Sequence, residues 1–250
     1  MTKLEKQCNY KMTIAYDGTA YHGYEAKPDN EKTIEGTLTR TLASITGVTT
    51  RIYCCGRTDA GVHALRMVTS FTHPAISEEE LKDKLNLALP EDIRVLEIVR
   101  APKAFHARYS AHQKVYEYRI YMGDAKPVWN RKYCYVPPKR PSVDKIKEAI
   151  PYLTGRHDFR SFCGDSKYDK STVKTIESID LKITGDYLII TYTGNGFLRY
   201  MVRIMTGTLI DVGTGKIKAS DLPSILEKKD RRYAGHTAPP DGLFLKDVVY

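Results

Sequence analysis

The sequence predicts an α+β chain of two similar sandwich domains, each an antiparallel sheet with helices on one face. Three observations carry this. Stretches of two-residue apolar alternation take turns with stretches of helical period, the same rhythm runs through both halves, and caps and breakers separate the stretches. The reading gives domains 1–105 and 106–250, although no internal sequence repeat is visible.

In the first half, Tyr10 to Tyr16 reads as a strand that turns at Asp17-Gly18. A helix follows from Thr33, with Ile34, Leu38, Leu42 and Ile45 on one stripe and Gly47 as its stop. Ile52 to Cys55 and Met67 to Phe71 read as strands flanking a glycine-bearing loop. Ser77 and Glu80 form a capping box that opens a helix carrying Leu81, Leu85 and Leu89; Pro90 ends it before a strand from Ile93 to Val99. In the second half a tyrosine-rich strand spans Val115 to Tyr121 and a helix runs near Ser142 to Leu153. Strands then cover Thr175 to Ile183 and Tyr187 to Thr193, a long helix starts at Phe197, and Leu243 to Val249 is a final strand. The Pro- and Lys-rich stretch between Tyr121 and Arg140 reads as a connecting loop near the domain junction, and Cys163 to Ser171 as a polar loop.

With 250 residues, 42% hydrophobic and 28% charged, the chain is long enough to bury a substantial core and too apolar for disorder. Its 39 Lys and Arg against 30 Asp and Glu leave a net charge of +9, which favours a polyanionic partner such as nucleic acid. The 5 cysteines are odd in number and lack Cys-x-x-Cys spacing, which argues against a disulfide framework and against a zinc site. The 7 histidines show no metal-binding cluster, so no metal is expected. No apolar run approaches the length of a membrane span or a signal segment, and a soluble cytoplasmic protein is expected. Gly213-Thr214-Gly215-Lys216 hints at a phosphate loop, but Ile210 and Ile217 stand where that motif needs Gly and Ser or Thr.

The loop Gly56-Arg57-Thr58-Asp59-Ala60-Gly61-Val62-His63-Ala64 sets one carboxylate among glycines at a sheet end, beside an arginine. Its bland alternative is a tight turn in which Thr58 and Asp59 bond their own backbone. The whole string resembles the catalytic motif of the TruA family of tRNA pseudouridine synthases. The segments Phe105 to Ala111, Lys114-x-Tyr116-x-Tyr118 and Gly194 to Arg203 look like further motifs of that family in the expected order. Ala15 to Thr19, Thr33 to Gly36, Asn86 to Ile93 and Gly242-Leu243 extend the likeness over essentially the full chain. Tyr24-Glu25 departs from the family's usual Trp-Gln after the first turn, which bears on RNA contacts.

The resemblance implies a cofactor-independent isomerase acting on tRNA at positions 38 to 40 of the anticodon stem-loop, as a homodimer, from a basic cleft between the two domains. It implies that Asp59 is the nucleophile, with Arg203 its ion-pair partner on the helix, lowering the carboxylate pKa. Tyr116 matches the active-site tyrosine, its ring stacked on uracil and its hydroxyl near C5, a candidate proton acceptor. Tyr118, two residues on, points to the same face, as a second wall of the pocket or as core. Arg57 corresponds to the residue that aids extrusion of the base, and His63 reads as structural. Two rivals remain in view. A non-catalytic RNA-binding protein does not explain why Asp59, Tyr116 and Arg203 occur together. An Asp-dependent hydrolase needs an acid for the leaving group and usually a paired carboxylate, which nothing near Asp59 supplies in sequence and only a distant residue could.

Overall fold

The structure, a computed structural model, describes residues 7–26 and 32–250. The chain forms two compact units, Met1–His112 with Leu245–Tyr250, and Gln113–Phe244. The first unit runs later than the expected 105/106 boundary because residues 106–112 are bonded to it. Ala107 N donates to Ser70 Oγ at 3.0 Å, Tyr250 Oη to Ala107 O at 2.8 Å, and His112 N to Val249 O at 2.9 Å.

In the first unit β1 (Gln7–Tyr16) buries Tyr10, Met12, Ile14 and Tyr16 at two-residue spacing. Helix α1 (Ile34–Thr46) starts where Thr33 Oγ1 accepts from Gly36 N and stops at Gly47, whose φ of 71° is the left-handed cap glycine tolerates. Ile34, Leu38 and Leu42 of the expected stripe are buried and Ile45 is half-buried. The short β2 (Tyr53–Cys54) and the longer β3 (His63–Pro74) pair through Tyr53 with Ser70 and Cys54 with Thr69. Helix α2 (Glu78–Ala88) is capped by Ser77 and buries Leu81 and Leu85, and β4 (Ile93–Ala101) follows. Strand β1 pairs antiparallel with both β3 and β4.

In the second unit β5 (Gln113–Tyr121) turns Tyr116, Tyr118 and Ile120 inward. Helix α3 (Val143–Leu153) is capped by the Ser142 side chain, and β6 (Gly155–Asp158) comes directly after it. Strands β7 (Val173–Thr184) and β8 (Tyr187–Gly194) form a hairpin closed at Gly185-Asp186, and the antiparallel order is β5-β8-β7-β6. Helix α4 (Met201–Gly213) is buried along its length except at Arg203 and α5 (Leu222–Lys228) is short, while β9 (Leu243–Val249) has only its first two residues in this unit.

Three features differ from expectation. Helix α4 starts at Met201 and not at Phe197, because Tyr200 takes a φ of 61° and the Arg199 carbonyl is drawn off to Gly164 N at 2.9 Å. Strand β6 and helix α5 are too short to leave a periodic signal. The stretch 121–140 lies inside the second unit, where Tyr135 exchanges hydrogen bonds with Tyr121 N and Arg119 O at 2.8 and 2.9 Å.

Segment 234–239 is laid along α4 at close range. Gly235 N donates to Thr208 Oγ1 at 2.9 Å, His236 N and Nδ1 meet Asp211 Oδ2 at 3.2 and 3.1 Å, and Ala238 N donates to Arg203 O at 3.1 Å. Gly207 permits this approach, since a Cβ there would lie 1.8 Å from His236 O. Helical Gly→Ala normally gains about 1 kcal/mol. Here Gly207→Ala is expected to destabilise the protein by about 1–3 kcal/mol through overpacking, read as a lowered urea midpoint. Burial raises the Asp211 pKa, but the hydrogen bonds and charge of His236 outweigh it and hold the carboxyl below its usual range. The unfolded chain then binds more protons, so this stabilisation is present above about pH 4 and lost as pH falls through the folded value. Asp211→Asn should flatten the acid side of the stability profile, measured by urea titration at several pH values.

Candidate active site

Asp59 lies in the turn between β2 and β3, half-buried, with its carbonyl accepting from Val62 N at 3.1 Å and Gly61 at a φ of 79°. The turn is bound to segment 16–24. Tyr16 Oη and Thr58 Oγ1 share a buried hydrogen bond of 2.7 Å, Tyr24 N donates to Thr58 O at 3.0 Å, and Gly61 N to Tyr21 O at 3.3 Å. Glycines make the contact possible: a Cβ on Gly18 would sit 2.0 Å from Val62 O, and one on Gly23 3.0 Å from Thr58 O. Buried His63 accepts from Gly18 N at Nδ1, 3.1 Å away, and the same nitrogen lies 3.1 Å from Asp17 Oδ1.

Arg57 is exposed and meets Glu25, Nη2 to Oε1 at 2.7 Å, with side-chain exposures of 61% and 49%. Glu25 is one of the two residues that depart from the resembled motif, and it contacts the arginine assigned to base extrusion. Tyr24 is buried, and among the described residues its hydroxyl has no hydrogen-bond partner. Burial pushes that phenol well above its ordinary pKa.

The remaining expected residues belong to the second unit. Tyr116 is 8% exposed, and Phe197 packs against its ring at 5.1 Å and 82°. Tyr118 is fully buried and donates to Pro239 O at 2.7 Å. Burial raises its pKa well above the ordinary value, with the nearby charge of Arg203 acting against the rise. Arg203 Nε donates to Ala238 O at 2.8 Å, which fixes the plane of its guanidinium. Arg203 and Arg199 each place a guanidinium carbon 5.0 Å from the Tyr200 ring centre. Tyr200 could not be foreseen, because a tyrosine carries no left-handed signal. Among the described residues no group of three or more His, Cys, Asp or Glu is placed to hold a metal. No helix among them is long and apolar enough to cross a membrane.

Residues 12–110 and 149–250 match the tRNA pseudouridine synthase family. The chain is 43% identical over 243 residues to tRNA pseudouridine synthase A of Caldicellulosiruptor bescii, covering 97% of this chain and 99% of that protein. It is 43% identical over 242 residues to the protein of the same name from Anoxybacillus flavithermus, covering 96% and 98%. The corresponding values for that of Bacillus licheniformis are 42% over 243 residues, 96% and 98%.

The chain belongs to the tRNA pseudouridine synthase family. It is therefore an isomerase that converts uridine to pseudouridine, and the bound loop at Asp59 is its candidate catalytic element.

For such a synthase the Glu25 contact has a measurable consequence. Glu25→Gln removes a negative charge beside Arg57 and is expected to tighten tRNA binding severalfold at low salt. The gain should fade at high salt as exposed charges are screened. Anisotropy titrations of labelled tRNA across a salt series read both effects.

Proposed function

We propose that this synthase modifies positions 38 to 40 of the tRNA anticodon stem-loop, with Asp59 as nucleophile and the target base flipped out of its stack. The observation that carries the reading is the carboxylate of Asp59 on a loop whose backbone is fixed by residues 16–24. The reaction breaks the bond from uracil nitrogen to C1′, turns the ring and rejoins it through C5, which releases the C5 proton. Attack by Asp59 at C1′ or at C6, or removal of a ribose proton, each requires the carboxylate ionised. Arg203 is the counter-ion assigned to it, its direction already set by Ala238.

Tyr116 stacks on the uracil, a contact worth roughly 1–3 kcal/mol, and its hydroxyl is the candidate acceptor for the C5 proton. Arg57 fills the vacated stack or clamps the phosphate, after extrusion at a cost of a few kcal/mol. Each unit serves as an α+β sandwich, and the enzyme works without cofactor, in the cytoplasm, as a homodimer on tRNA. The net charge of +9 supports a polyanionic substrate.

Tritium release from tRNA labelled at uridine C5, with chemical mapping of the product, tests this. Asp59→Ala is expected to abolish release by ~10³-fold or more while tRNA affinity stays near that of the parent. Release retained in Asp59→Ala, or mapping outside the anticodon stem-loop, would refute the assignment. Tyr116→Phe against Tyr116→Ala separates hydroxyl from ring: loss in both assigns the hydroxyl to proton removal, and loss only in alanine leaves the ring as the stack.

A further inference from the structure

The Phe105 to Ala111 motif has no part in the chemistry above, yet it builds an exposed feature of the first unit. The Tyr53 and His106 rings lie 4.8 Å apart at 44°, and the His106 and Tyr109 rings 4.5 Å apart at 38°. Arginines stand at both ends, Arg51 5.0 Å from the Tyr53 ring centre and Arg108 6.0 Å from that of Tyr109. Tyr109 is 79% exposed and Tyr53 39%, so the row presents π-faces and cations to solvent.

Two further facts mark this row as more than surface packing. Its base is fixed: His106 Nδ1 accepts from Arg108 N at 3.1 Å, and Ser110 Oγ accepts from His106 N at 3.1 Å. Its charges are uncommitted. Among the described residues neither Arg51 nor Arg108 has a carboxylate partner, whereas Arg57, Arg66, Arg100, Arg119 and Arg232 each have one. Beside the row a cavity of about 260 Å³ is lined by Asn9, Tyr53, Ser70, Lys103, Phe105 and His106.

We propose that the row Arg51, Tyr53, His106, Tyr109 and Arg108 is a second RNA-binding subsite, which takes unstacked nucleotides of the substrate on its rings and their phosphates on its guanidiniums. Base stacking on aromatic side chains with flanking cations is the recognition mode of single-stranded nucleic acid. Tyr53 stands six positions before Asp59, at most roughly 20 Å along extended chain, so nucleotides held here belong to the same RNA that enters the site. The proposal rests on the pseudouridine synthase reading for the identity of that RNA and on the row itself for the mode of binding.

The test is anisotropy of labelled tRNA with the full chain carrying Asp59→Ala, so that binding is read without turnover. Tyr109→Ala in that background is expected to weaken binding about tenfold, ~1.4 kcal/mol, and Tyr109→Phe to leave it within about twofold. Arg51→Ala and Arg108→Ala should each reduce the slope of log affinity against log salt by about 0.7. With Asp59 intact, Tyr109→Ala should raise KM and leave the single-turnover rate at saturating tRNA unchanged. Unaltered affinity in Tyr109→Ala overturns the proposal. So does a changed sedimentation mass, which would assign the row to contact between copies of this chain. Failure of the reaction itself shows separately, as wild-type chain that releases no tritium whatever Tyr109→Ala does to binding.

Discussion

Close approach of two backbones, at Gly18 and Gly23 on one side and Thr58 to His63 on the other, is the constraint on which the chemistry of the first unit depends. No side chain fits between them, so the Asp59 loop is held by main-chain bonds from Tyr24 N and Gly61 N. The backbone that carries the carboxylate is thereby fixed before any side-chain contact is counted. Ordering entropy is met once, on folding, and is not charged again when substrate arrives. A loop of the same composition without those glycines opposite it would be the ordinary solvated turn that its sequence also permits.

The second unit uses the same device. Gly207 lets segment 234–239 lie against α4, and the bonds of Ala238 to Arg203 and of Gly235 to Thr208 follow from that contact. Arg203 therefore emerges from a helix otherwise buried throughout, with its Nε already committed to a carbonyl. An arginine in that setting keeps one plane and one direction. An exposed helical arginine, the bland alternative for this position, has several.

Local order was legible in the sequence where a local rule sufficed. Thr33, Gly47, Ser77 and Ser142 mark helix ends through contacts within three or four residues, and the alternation in Tyr10 to Tyr16 states which face of β1 is buried. What stayed hidden depends on partners far along the chain. The start of α4 is set by a Tyr200 backbone that Gly164 accommodates, since a Cβ on that glycine would lie 2.2 Å from the Tyr200 ring. The first unit reclaims Leu245–Tyr250, and Tyr250 bonds to Ala107, a pairing that no window of sequence contains. Of the candidate residues, the Asp59 loop was readable because a long motif carried it. Glu25 was visible only as a departure, and its contact with Arg57 required the fold.

These placements divide the charged groups by how firmly they are held. Asp59 and Arg203 stand on backbone fixed by hydrogen bonds, the kind of placement their proposed roles at a reacting atom would require. Arg57 is held by Glu25 through an exposed pair, and such pairs contribute about 0–1 kcal/mol. Stacking a base is worth roughly 1–3 kcal/mol, so an incoming nucleotide with its phosphate can displace the carboxylate without disturbing the fold. Among the described residues Arg51 and Arg108 have no such carboxylate to release. The exposed Glu25 pair thus sets a negative charge beside Arg57 without holding the fold, the opposite of the main-chain bonds that fix the Asp59 loop.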